Sequence, residues 1–172
     1  KPMCDLLIRE AKRCAQHCRL KLGQISVEKL GLKEAMTNLA LNCILPSVGW
    51  TSGVSAGDFE VDGSVIYDGD KPLFSDFKFS CDPADKWEFD GSERSLPTHK
   101  DDSYYTINMC LGDDFTGGSV LFENAVEIEH QICRGIVHPG RMTHRVTPCK
   151  GQRFNLILFV NLRNNKANRH LL

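Results

Sequence analysis

From residue 47 onward the chain is cut into short β-rich runs: DFEVDGSVIYDGD, LFSDFKFSC, SYYTINMCLG, GSVLFE, AVEIEHQI, RGIVHPG, RMTHRVTP and RFNLILFV. Turn chemistry separates them, at Asp62-Gly63, Asp68-Gly69, Gly117-Gly118, Pro139-Gly140 and Lys150-Gly151. No helical pattern intervenes. A succession of about eight short strands with close turns predicts a mainly β fold, an antiparallel double-stranded β-helix of jelly-roll type. The chain has 172 residues, enough for one domain with a real core. The expected layout is helical support over 1–46, a jelly-roll core over 47–163 and a polar tail over 164–172.

The first third reads as helix. CDLLIREAKRCAQHCRLKL places Leu6, Leu7, Cys14 and Cys18 roughly on one face, with Lys and Arg opposite, and Gly23 as a stop. SVEKLGLKEAMTNLALNCIL follows, with Ser26 as its N-cap and Pro46 ending it. Such helices are expected to cover one sheet face. The stretch 81–97 has weak periodicity and reads as a long loop placed directly before His99. Trp50 and Trp87 read as packing residues rather than substrate platforms.

A formal net charge of −1 gives no electrostatic case for nucleic acid or an anionic membrane. No apolar run approaches the length of a membrane span. The chain opens KPMCD, as expected of a processed or trimmed piece. Its 8 cysteines include no C-x-x-C pair. Cys14, His17 and Cys18 have the spacing of half a zinc site, but no second pair supports it, and ordinary buried thiols explain them better. The loose spacing leans towards a reducing compartment, cytoplasmic or nuclear rather than secretory.

The hexamer THKDDS (98–103) packs one imidazole and two carboxylates before an apolar run. Side chains alternate along a strand, so His99 and Asp101 point to the same side, as two ligands of one metal must. The competing reading is a solvated polar turn. A third ligand must come from another strand, and His130, His138 and His144 are the choices. His130 sits in a charged run resembling a strand edge, His138 precedes a turn, and His144 opens a strand. Arg153 lies nine residues after His144 and starts the most hydrophobic strand of the chain. If Arg153 points inward, Asn155, Ile157 and Phe159 do too, and Phe154, Leu156, Leu158 and Val160 pack under the helices. Two imidazoles and one carboxylate with open positions suit Fe(II) oxygenases. A buried Arg nearby suits the far carboxylate of a dicarboxylic cosubstrate.

At these residues the sequence resembles the Fe(II)- and 2-oxoglutarate-dependent dioxygenases, in the prolyl 4-hydroxylase and lysyl hydroxylase branch. HKDDSYYTINMCL fits that branch's H-x-D-x-S-x-x-T-I-N pattern, and HPGRMTHRVTPCKGQRFNLILFV its H-P-G-R-x-T-H segment and Arg-bearing strand. FTGGSVLFE and IEH add a resemblance to the oxygenase domain-containing protein 2 subgroup. The resemblance covers roughly 77–163. It implies His99, Asp101 and His144 as iron ligands, Arg153 as partner of the distal 2-oxoglutarate carboxylate, and Asn155 as its helper. Relatives often carry a Tyr before the H-x-D, where this chain has Phe77 and Phe79. Tyr67, Tyr104, Tyr105 and Thr106 are candidates to replace it, with Tyr105 and Thr106 counted as cosubstrate-binding.

The implied activity is C–H hydroxylation, with O2 consumed and succinate and CO2 released, and ascorbate as a reactivating reductant. The branch points to a protein or peptide substrate, at a side chain such as Pro or Lys. A small molecule or nucleobase is the alternative substrate. A catalytically silent metal-binding module is a third reading, against which the intact ligand set with Arg153 argues.

Overall fold

A computed structural model describes residues 1–18, 24–49, 58–69 and 94–163. The expected Gly23 stop, the run LFSDFKFSC with Phe77 and Phe79, most of the 81–97 loop, both tryptophans and the polar tail lie outside the described residues, as do the side chains of His17 and Cys18.

Helix α1 (Pro2–Cys18) precedes strand β1 (Gln24–Ser26), followed by α2 (Lys33–Leu39), a π-helical turn (Ala40–Ile44) and the short α3 (Leu45–Ser47). The strands are β2 (Phe59–Gly69), β3 (Arg94–His99), β4 (Tyr105–Gly112), β5 (Phe115–Gly117), β6 (Val120–Phe122), β7 (Glu127–Ile128), β8 (Gly135–Pro139) and β9 (His144–Leu162). All pairings are antiparallel. One sheet has the order β1-β2-β9-β4-β8, and β3, β5 and β6 pair with the first part of β9 to form the opposing layer. This is a double-stranded β-helix with helices on one side, as the spacing of strands and turns predicts.

The main departure from the expected layout is β9. RMTHRVTP and RFNLILFV are not two strands joined by a Lys150-Gly151 turn, but one strand of 19 residues. Gly151 is the point where it bends from one layer into the other. Its φ is +98°, a left-handed value that favours glycine, and a Cβ there would collide with the Asp114 carbonyl. Asp62-Gly63 is likewise inside β2 and makes no turn. A Cβ on Gly63 would strike the Ile157 carbonyl, so this glycine serves close strand approach. The loop expected over 81–97 closes early, because Arg94 already begins β3.

In its second half β9 has both faces covered. Phe154, Leu156, Leu158 and Val160 are at most 1% exposed and form the core with Ile107, Leu111, Val61 and Val65. Burial of each such side chain contributes about 1.5–3 kcal/mol. Helix α1 closes this core with Cys4, Leu7, Ala11 and Ala15, at the three- and four-residue spacing of one helical face. That corrects the expected face: Leu6 is 43% exposed, and Cys14 is only partly buried. Lys12 fastens the helix to the sheet, lying 5.1 Å over the Phe154 ring and pairing with Asp113 at 2.9 Å.

Ser26 is not a helix cap. It ends β1, and its hydroxyl accepts the Lys29 amide across a turn. Gly31, at φ +69°, reverses the chain before α2 starts at Lys33. Pro46 sits in the final helical turn, one residue before its end at Ser47. Replacing Gly63 by Ala should destabilise the protein by about 1–3 kcal/mol, because the backbone of β9 must yield. A lower urea midpoint at unchanged slope is the expected signature.

Candidate metal centre

His99 is the last residue of β3 and His144 the first of β9, and the antiparallel register places them side by side. Their rings lie 4.3 Å apart. Asp101 is drawn in by the chain itself, since its backbone N–H donates to the Gly140 carbonyl at 2.8 Å. Gly140 allows this approach; a Cβ there would overlap the Ser103 carbonyl and hydroxyl oxygens. The Pro139-Gly140 turn thus presses the H-x-D segment against the start of β9.

The result is a three-residue cluster of His99, Asp101 and His144, whose ligand atoms all lie within 4.8 Å of one another. Asp101 Oδ1 is 3.5 Å from His99 Nε2, and its Oδ2 is 3.7 Å from His144 Nε2. These gaps are too long for direct hydrogen bonds. They approach the spacing of about 3 Å between neighbouring donors on an ion with bonds near 2.1 Å.

Hydrogen bonds behind the cluster orient it. His144 Nδ1 faces the Met142 carbonyl at 2.9 Å. A carbonyl only accepts, so the proton is on Nδ1 and the Nε2 lone pair faces the cluster. Thr106 donates its hydroxyl to Asp101 Oδ2 at 2.6 Å. Having spent its one proton there, it must accept from Ser103, whose hydroxyl is 2.8 Å away. Ser103 and Thr106 therefore hold one carboxylate in place. Asp102 turns outward to Arg141, 3.3 Å away at an exposed pair.

His138 stands beside the cluster, its Nε2 3.9 Å from Asp101 Oδ2 and its ring 4.7 Å from that of His144. Its Nδ1 proton goes to the Pro139 carbonyl, and burial pushes its pKa down. It is not in the three-residue group, which favours His144 as the third ligand. Phe122 packs against both rings, at 5.2 and 5.8 Å, and shields them from water.

Arg153 lies beyond the bend of β9 and is 1% exposed. It donates to the Gly118 carbonyl, and a Cβ on Gly118 would overlap its guanidinium. The Gly117-Gly118 pair therefore makes room for Arg153 as well as turning the chain. Arg153 Nη1 is also 3.2 Å from His130 Nδ1. Sequence reasoning placed His130 at a strand edge; instead it is buried, and burial followed by the Arg153 charge pushes its pKa down to about 4. Nothing in its charged surroundings, EIEH, signals this.

Register decides the remaining candidates. Asn155 shares the face of Arg153 and is buried, and Asn108 on β4 points to the same side through its pairing with Ile157. Each keeps a buried Oδ1 atom with no partner among the described residues. Thr106 also faces this side, but it serves Asp101 rather than the Arg153 end. Tyr105 is a correction: it pairs with Val160 and packs into the helix-side core beside Tyr104, on the opposite face from Thr106. Tyr67 lies on that same core side, its ring 5.1 Å from Phe154.

The chain is similar to 2-oxoglutarate and iron-dependent oxygenases. Proteins called 2-oxoglutarate and iron-dependent oxygenase domain-containing protein 2 match it at 36% identity over 81 residues in Mus musculus and 31% over 81 residues in Homo sapiens. Each match covers 41% of this chain and 23% of the relative. Among solved structures, prolyl 4-hydroxylase of Phytophthora capsici aligns with a TM-score of 0.60 at 13% identity, covering 91% of this chain and 54% of that one. A Pseudomonas putida prolyl-4-hydroxylase aligns at 0.55 and 15% identity, covering 93% and 88%. These two likenesses concern the fold. No family model matches the chain. These relatives are named for the kind of oxygenase that the H-x-D segment resembles.

The residues fit the two groups such names imply. Three donors of the right kind converge, and beside the Arg153 guanidinium lies the buried His130 Nε2, which has no partner among the described residues. Thr106→Val should weaken Mn(II) binding about 10–100-fold by releasing Asp101, as calorimetric titration would register. His130 also predicts an acid weakness. Unfolded, it takes up a proton as pH falls through 6.5; folded, it does so only near 4. The stability it contributes is complete above pH 6.5 and lost towards pH 4, on the order of 3 kcal/mol. Denaturant midpoints should fall over that window, and less so in His130→Gln.

Proposed function

We propose that this chain is an Fe(II)- and 2-oxoglutarate-dependent hydroxylase acting on a protein side chain such as Pro or Lys. The observation that carries the reading is the His99–Asp101–His144 cluster on the same strand system as a buried Arg153. Iron bound at such a site supplies oxygen activation and C–H oxidation coupled to decarboxylation of the 2-oxo acid.

The protein's part is positional. His99, Asp101 and His144 would hold the ion. Ser103 and Thr106 fix the Asp101 carboxylate. Arg153 meets the distal carboxylate of 2-oxoglutarate, with Asn155 beside it on the same face. Phe122 and the partly buried Ile157 and Phe159 keep the space between them poor in water. A protein substrate is supported by the names of the two prolyl 4-hydroxylases with the same fold. We further propose ascorbate as reductant for reactivation and a cytoplasmic or nuclear setting, in keeping with the buried Cys4 and Cys110, which form no disulfide.

Incubation of the chain with Fe(II), 2-oxoglutarate and O2 should release succinate, and addition of peptide pools should yield a product heavier by one oxygen atom. His99→Ala, Asp101→Ala and His144→Ala should reduce succinate to background. Arg153→Leu should raise the KM for 2-oxoglutarate about tenfold or more, since it removes a charge-assisted contact. Absence of succinate under all these conditions would sink the proposal.

A further inference from the structure

His130 lies outside the metal cluster, on the segment between β7 and β8, and its side chain is nine-tenths buried. Its hydrogen bonding is determined by its neighbour. Arg153 Nη1, 3.2 Å from His130 Nδ1, can only donate. Nδ1 must therefore present its lone pair, and the single ring proton sits on Nε2. Burial and the Arg153 charge both keep the ring neutral, in agreement with that tautomer. Nε2 is buried and has no partner among the described residues. Native interiors seldom leave a donor in that state, and a water, an ion or a ligand ordinarily supplies the acceptor.

The place of this N–H suggests the acceptor. One ring nitrogen touches the guanidinium, so the other lies only a ring-width further on. Gly118, with no side chain, gives Arg153 its carbonyl and its room. On the reading proposed above, the group arriving here is the distal carboxylate of the 2-oxo acid. A carboxylate offers about four acceptor sites, more than one guanidinium edge fills.

We infer that His130 is a second binding residue for that carboxylate: Arg153 supplies the charge, and His130 Nε2–H a neutral donor beside it. The two are coupled, because the Arg153 N–H that His130 accepts is also what fixes the imidazole tautomer. The competing possibility is that His130 only props Arg153 and never touches the ligand.

NMR on the whole chain loaded with Zn(II), which is diamagnetic, separates these. With 2-oxoglutarate the His130 Nε2–H resonance should move downfield and exchange more slowly. With 2-oxobutyrate, which lacks the distal carboxylate, it should stay in place. His130→Leu should weaken 2-oxoglutarate binding about tenfold or more and leave 2-oxobutyrate binding unchanged. His130→Gln, which keeps a donor and an acceptor, should recover part of the loss. An unmoved Nε2–H in a protein that binds 2-oxoglutarate in an Arg153-dependent way would overturn the role of His130 and leave the functional reading standing. Failure of the unmutated chain to bind 2-oxoglutarate at all would overturn both. The resonance is read on the unmutated protein, so a variant that fails to fold does not blur the outcome.

Discussion

The bend of β9 at Gly151 is the constraint on which the rest hangs. One strand belongs to both layers of the double sheet, so its two halves face each other across the space between them. His144 begins the first half at the metal end. Phe159, late in the second half, comes back to that end, opposite Thr106, whose hydroxyl holds Asp101. Arg153 stays near the bend. A single folded strand thus carries a candidate metal ligand and a buried cation to different depths of the space between the layers. Its outer face meanwhile supplies the Phe154, Leu156, Leu158 and Val160 core under the helices.

Local glycines make this geometry affordable to the backbone. Gly140 lets the H-x-D segment approach the turn before β9, Gly118 lets Arg153 reach a carbonyl, and Gly63 lets β2 lie close to β9. In each case the hindrance comes from an atom distant in sequence. A glycine followed or preceded by a turn-forming residue looks the same in the sequence whether it turns the chain or admits a neighbour. Asp62-Gly63 and Lys150-Gly151 therefore read as turns, and both are parts of continuous strands.

What was legible in the sequence rests on period and local chemistry. Alternation along β9 separates Arg153 and Asn155 from the core residues Phe154 and Leu156, whereas Asp101 lies beyond the end of β3 and meets His99 through its backbone bond to Gly140 rather than by strand alternation. The same alternation puts Tyr105 and Thr106 on opposite faces, so the two do not line one pocket together. The sequence around His130 gives no sign of its burial, because its neighbours Glu127 and Glu129 have the look of an exposed edge. Its burial depends on Arg153, which arrives from 23 residues later in the chain. Helix α1 is legible as a helix but its buried face is not, because Ala11 and Ala15 bury as fully as Leu7 while carrying a much weaker hydrophobic signal than the exposed Leu6.

The continuity of β9 also bears on how such a chain can diverge. His144 and Arg153 are tied by an unbroken run of backbone, and side chains on a strand change face with every residue. An insertion or deletion of one residue between them would turn one of the two away from the space between the layers, unless a bulge compensated. The segments joining other strands are under no such rule. Length variation is thus expected to gather in those loops, with the nine-residue interval held constant while the composition around it drifts.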